Sequence, residues 1–124
     1  MPRSRSSARA AGTRTETETA RFLAHALDDD RIERRARNGA KDRGDISGIR
    51  HRGARIVIEC KNTSRPALAQ WITEAHQEAG NDDAAIGVIV HKRHGIAAPA
   101  EQWVTMTLAD FAWLIGADKP EYDD

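Results

Sequence analysis

Apolar residues recur along this chain in two rhythms, one helical and one extended. Between residues 13 and 27, Ala20, Leu23 and Leu27 fall on one helical face with Phe22, Ala24 and Ala26 beside it, which predicts a first helix. Residues 54–61 instead run through Ile56, Val57, Ile58 and Cys60, a β-branched stretch that reads as a buried strand. Its period of two places Val57, Glu59 and Lys61 on one face and Ile56, Ile58 and Cys60 on the other. Just upstream, Ile46 and Ile49 with the small Ser47 and Gly48 predict a short strand. His51, Arg52 and Gly53 supply the turn that pairs the two as a hairpin.

Downstream the same reading continues. Pro66 opens a helix over residues 66–79, in which Leu68, Trp71, Ile72 and Ala75 hold helical spacing before Gly80 and Asn81 stop it. The uninterrupted apolar run 84–90 then predicts a strand parallel to 54–61 and covered on both faces. A further strand over 101–107 and an amphipathic helix through Leu108, Phe111, Ala112, Leu114 and Ile115, ending at Gly116, complete the pattern. The expected class is α/β, a central mixed β-sheet of about five strands flanked by helices. At 124 residues one domain is expected, spanning residues 12–117. Residues 1–11, Arg among Ser and Ala, read as a basic arm, and residues 118–124 as a loose acidic tail.

Composition adds two constraints. The formal net charge of zero hides an asymmetry: residues 1–65 hold 16 Lys and Arg against 9 Asp and Glu, while residues 66–124 hold 3 against 10. A basic face for a polyanion is one outcome of that split, and a fold that mixes the halves is the other. One cysteine, Cys60, excludes an intrachain disulfide and fits a reducing compartment. With no apolar block long enough for a membrane span or a secretory signal, the cytoplasm is the expected location. The five histidines are scattered, which argues against structural zinc, and His25 and His76 are expected on helix surfaces.

The candidate chemistry gathers on the hairpin. Asp45 stands at the head of one strand, and Glu59 and Lys61 stand at the end of the next, facing the same way. Two carboxylates with a backbone carbonyl form an all-oxygen set suited to a hard divalent ion, magnesium above all. Asp45, Glu59 and the Cys60 carbonyl are the expected ligands, and Lys61 would orient a water or offset developing charge. On the first helix Glu16 shares the inward face. Thr13 three residues before it makes a capping box, which accounts for the glutamate without catalysis. Arg34, Arg35, Arg37, Lys41 and Arg43 crowd the stretch before Asp45, and Lys92 and Arg93 follow the parallel strand. Such residues suit phosphate contacts, although a solvated basic edge is the commoner meaning of a charge run.

Asp45 followed by Glu59-Cys60-Lys61, within Ile58-Glu59-Cys60-Lys61, resembles the PD-(D/E)xK nuclease core. The segment from Gly12 to Leu23 resembles the first helix of the archaeal-type Holliday junction resolvases, where a glutamate follows a glycine by four residues, here Gly12 and Glu16. The resemblance covers roughly residues 12–95 and implies a restriction-endonuclease-like core of order α-β-β-β-α-β. It further implies catalytic roles for Glu16, Asp45, Glu59 and Lys61, dependence on Mg2+ with Mn2+ as substitute, and a homodimer cutting DNA, in a bacterial or phage version. Two departures stand out: Gly44 occupies the place usually held by proline, and Asn38, Gly39, Ala40 and Lys41 replace a serine-bearing loop. A junction resolvase is the first reading. A general or nicking endonuclease of the same fold is the second, and a DNA-binding module without activity is the third. The segment from Trp103 to Leu114, apolar with Trp and Met, is the expected dimer surface.

Overall fold

A serine at position 4 caps the first helix. Its hydroxyl accepts from the Ser7 amide, a side-chain N-cap, and the first helix, α1, runs Arg5–Ala26 from there. The computed structural model describes residues 4–35 and 44–122. Residues 5–11 are therefore helical where the sequence suggested an arm, because Arg and Ala following a serine cap favour helix continuation. Thr13 lies inside α1, so the expected capping box does not form. The buried face is Ala11, Thr15, Thr19 and Ala20, with the Thr15 hydroxyl returned to the Ala11 carbonyl. Leu27 follows the last turn and is exposed, as is Phe22.

After α1 come the strands β1 (Glu33–Arg34), β2 (Ile46–Ser47), β3 (Arg50–His51) and β4 (Ala54–Lys61). Helix α2 (Leu68–Asn81), strand β5 (Ile86–His91), a 3-10 turn (Pro99–Glu101), strand β6 (Trp103–Thr105) and helix α3 (Leu108–Leu114) complete the order. The result is an α/β fold with an open, mixed six-stranded sheet in the order β1-β2-β4-β5-β6, β3 pairing with the start of β4. Among the described residues only β4 and β5 pair in parallel, matched from Ile56↔Ile86 to Lys61↔His91. The expected first hairpin strand is split into β2 and β3 around Gly48. That residue has φ +89, and a Cβ there would lie 2.8 Å from the Arg31 carbonyl oxygen, so only glycine lets the strand pass so close. Arg52 at the tip of the hairpin reaches across to α3, where it donates to the Trp113 and Ala117 carbonyls and closes the C-terminal end of that helix.

The two faces of β4 and β5 are covered differently. Ile58 and Cys60 with Ile86, Val88 and Val90 pack with Ala20 of α1, Ile32, Ile46 and Trp113 of α3 in the main core. On the opposite face, Ile89 packs against Trp71 and Ala75 of α2. The β-branched spacing of β4 and β5 thus does what its alternation requires. The approach of α2 is unusually close, because a Cβ on Gly87 would sit 2.3 Å from the Ala75 carbonyl oxygen. Closely spaced backbones carry Ala75 to complete burial.

The C-terminal segment differs from the loose tail expected of it. Tyr122 packs on the cluster of Val57, Ala79 and Ala84, and its hydroxyl donates to Asp110 at 2.8 Å. His76, expected on a helix surface, is half-buried: its ring stacks on Tyr122 at 3.6 Å and its Nε2 lies 3.0 Å from the fully buried Asp110. Trp103 and Val104 on β6, Leu108 and Phe111 on α3 and Ile115 just after that helix are exposed. No helix among the described residues is long and apolar enough to cross a membrane.

Candidate active site at the end of the central strand

Strand lengths create the site. β2 pairs with β4 only at Ile46↔Ile58, so the last three residues of β4 extend beyond their short neighbour on that edge. The backbone of Asp45 adds one more bond, its amide donating to the Ile58 carbonyl at 2.9 Å. Its carboxylate then substitutes for the missing strand, since Asp45 Oδ2 accepts from the Cys60 amide at 2.8 Å. In an extended strand the amide and carbonyl of one residue address the same edge. The Cys60 carbonyl therefore points to the same side as the Asp45 carboxylate, while the Lys61 carbonyl turns toward β5 and accepts from the Lys92 amide.

Beside this edge lies a cavity of about 550 Å³. β4 contributes Glu59 and Lys61, and Asp45 borders it from the chain before β2. From α1 come Arg9 and Glu16, from the β1 region Arg34 and Arg35, and from α2 Glu74 and Glu78. Five carboxylates thus face three arginines and a lysine. Such a cluster is stable only when cations are interleaved with the acids, and the contacts show this interleaving. Arg34 Nε donates to Glu16 Oε2 at 2.7 Å, and Lys61 Nζ lies 3.8 Å from Glu59 Oε1 and 3.4 Å from Glu74 Oε2. Arg35 lies 3.6 Å from the buried Asp82, which also takes Arg55 at 3.3 Å. At the exit of β4, the Asn62 amide group donates to Thr15 Oγ1 and ties the strand to α1.

Cys60, between Glu59 and Lys61 on β4, faces the core instead. Burial above all, and then the charge of Asp45, pushes its thiol far above the ordinary range, so it stays protonated and contributes only main-chain atoms to the site.

Glu16, Asp45, Glu59 and Lys61, singled out from the sequence on three separate elements, all border this one cavity, together with Arg34 and Arg35. Lys92 and Arg93 do not border it. The Lys92 ammonium donates to the Ile96 carbonyl, and Arg93 stacks over Trp103 at 4.7 Å with Glu101 at 3.6 Å. Arg37, Lys41 and Arg43 lie outside the described residues. Sequence reasoning passed over Arg9, Glu74 and Glu78. Arg9 was assigned to the arm, yet it stands seven residues before Glu16 at helical spacing. Glu74 and Glu78 stand at i and i+4 on α2, next to the buried Ala75 and Ala79, a face where unexplained acids are themselves a signal.

Two further cavities, of about 580 and 640 Å³, flank Tyr122 and His76 and share no residue with this cluster. The donor set around β4 is of oxygen type: two carboxylates, Asp45 and Glu59, and the Cys60 carbonyl on their edge. Among the described residues no group of three or more His, Cys, Asp and Glu side chains forms that could hold a metal ion. Comparison with models of protein families, with curated proteins and with solved structures finds no match.

Proposed function

We propose that this chain is a metal-dependent DNA endonuclease with a restriction-endonuclease-like core, acting as a Holliday junction resolvase on branched DNA. The observation that carries the reading is the shared cavity: Asp45, Glu59 and Lys61 of the motif meet Glu16 from α1 and arginines from two elements. The oxygen donors Asp45, Glu59 and the Cys60 carbonyl suit Mg2+, with Mn2+ as a substitute. When bound, such an ion supplies charge neutralisation at a phosphoryl oxygen and an acidified water.

The chain's own residues divide the remaining tasks. Arg9, Arg34 and Arg35 supply cationic donors for phosphate oxygens at the mouth of the cavity, which positions DNA without reading its sequence. Lys61 presents its ammonium where charge accumulates on the scissile phosphate. Glu16, with Thr13 inside the helix and no cap to serve, holds Arg34 in place. The junction preference and the homodimer rest on the resemblance of Ile58-Glu59-Cys60-Lys61 and of Gly12 with Glu16 to the resolvases.

The test is cleavage of a labelled four-way junction and of linear duplex in Mg2+. Symmetric junction cuts that Glu59→Ala abolishes support the proposal. Equal cutting of both substrates supports a general endonuclease of the same fold, and binding without cuts overturns both enzymatic readings.

A further inference from the structure

A lysine that serves a phosphoryl-transfer site must be held on target, because its four-carbon stem is flexible and its ammonium is drawn to any nearby acid. In this chain Lys61 is bracketed. Glu59 stands two residues before it on the same strand face, with Oε1 at 3.8 Å, beyond hydrogen-bond reach. The shorter contact comes from α2, where Glu74 Oε2 accepts from Lys61 Nζ at 3.4 Å. If Asp45 and Glu59 are taken up by an ion, Glu74 is the carboxylate left to the lysine.

The placement of Glu74 is built into the fold. It precedes Ala75, the residue whose carbonyl oxygen nearly touches the β5 backbone at Gly87, so its height over the sheet is fixed by backbone packing. Trp71, three residues earlier, is wedged against Ile89 and the His91 ring. His91 pairs with Lys61 in the parallel register, which fixes α2 relative to the lysine along the strand as well.

We propose that Glu74 is the positioning residue of Lys61: it aims the ammonium into the cavity and keeps it from collapsing onto Glu59. This rests on the nuclease reading of the same cavity and adds to it a residue on the crossover helix, outside the motif.

Two readouts test it, one of them independent of cleavage. In the full-length protein, trace acetylation of Lys61 relative to exposed Lys119 reports how tightly the amine is held. Glu74→Ala should raise the Lys61 rate several-fold, and Glu74→Gln, which keeps an oxygen acceptor, should restore most of the protection. In junction cleavage, Glu74→Ala should lower kcat by about 10- to 100-fold with KM little changed. In a Lys61→Ala background the same substitution should cost less than about twofold, the non-additivity expected of residues acting as one unit. Unchanged Lys61 labelling, or losses that multiply in the double variant, would overturn the assignment. Should the wild-type protein cut no DNA, the labelling still decides the role of Glu74 while the nuclease reading alone fails.

Discussion

Gly87→Ala offers a demanding test of how the sheet and α2 fit together. The added methyl would lie 2.3 Å from the Ala75 carbonyl oxygen and 2.7 Å from its carbon, about 1 Å inside ordinary contact. Both groups are backbone, so no side-chain rotation relieves the clash. Either β5 bows, which disturbs six parallel pairs with β4, or α2 retreats. Retreat loosens Trp71, Ala75 and Ile89, which are 7%, 0% and 0% exposed. Forcing one methyl into such a contact costs about 2–3 kcal/mol. For a chain of this size that lowers the melting midpoint by about 8–15 °C.

The control lies on α2, the helix packed against Gly87. Gly80 sits near the end of α2 with nothing within 4 Å of where a Cβ would stand, and a helical Gly→Ala change there should stabilise by about 0.5–1 kcal/mol. Urea unfolding of both variants, followed by circular dichroism, separates the effects. A Gly87→Ala midpoint equal to wild type would refute the close packing of α2 on β5, and with it the argument for how Glu74 is placed.

Three further outcomes follow from other parts of the molecule. Gly44→Ala should abolish cleavage and destabilise the chain by about 1–3 kcal/mol, since Gly44 has φ +91 and a Cβ there would meet Val57 Cγ1 at 2.9 Å; full activity in this variant would contradict the geometry that carries Asp45. Cys60 should react with a thiol reagent only as fast as the chain opens, because burial keeps the thiol protonated and covered, and a fast native-state reaction would show the core face of β4 to be wrongly assigned. Burial also lowers the His91 pKa from 6.5, so the unfolded chain takes up that proton first as pH falls. Stability should therefore decline as the pH drops through 6.5 toward the folded value, and His91→Gln should flatten that part of the urea-midpoint profile; an unchanged slope would remove His91 as its source.

The alternation of β4 was legible because it is a local property. Val57, Glu59 and Lys61 face α2 and the cavity while Ile58 and Cys60 face the main core, as period two demands. The parallel partnership of β4 and β5 was equally readable, since a strand, a helix and an unbroken apolar run leave little other choice. The start of α1 was not, because Arg5–Ala11 lacks an apolar stripe and its helicity depends on the Ser4 cap and on propensity. Tyr122 escaped notice for a different reason. One tyrosine in an acidic tail has no periodicity, and its place is set by Asp110 and His76, residues 12 and 46 positions away in the chain.

The site shows the same division between local and distant causes, and Gly44 is where the two meet. The resemblance to the nuclease motif leaves that glycine as a departure, a residue standing where proline is usual. A proline is confined near φ −65°, and Gly44 stands at φ +91 with the β4 backbone against its α-carbon. In this chain the position cannot be filled by proline without redirecting the backbone that delivers Asp45 to the Cys60 amide. Gly44 thus sets a local path that ends in a carboxylate placed beside the last residues of β4. Sequence spacing registers the aspartate and the Glu-x-Lys and is blind to that path. The acids of α2 escape it altogether, because Glu74 meets Lys61 only through the closeness of two backbones at Gly87.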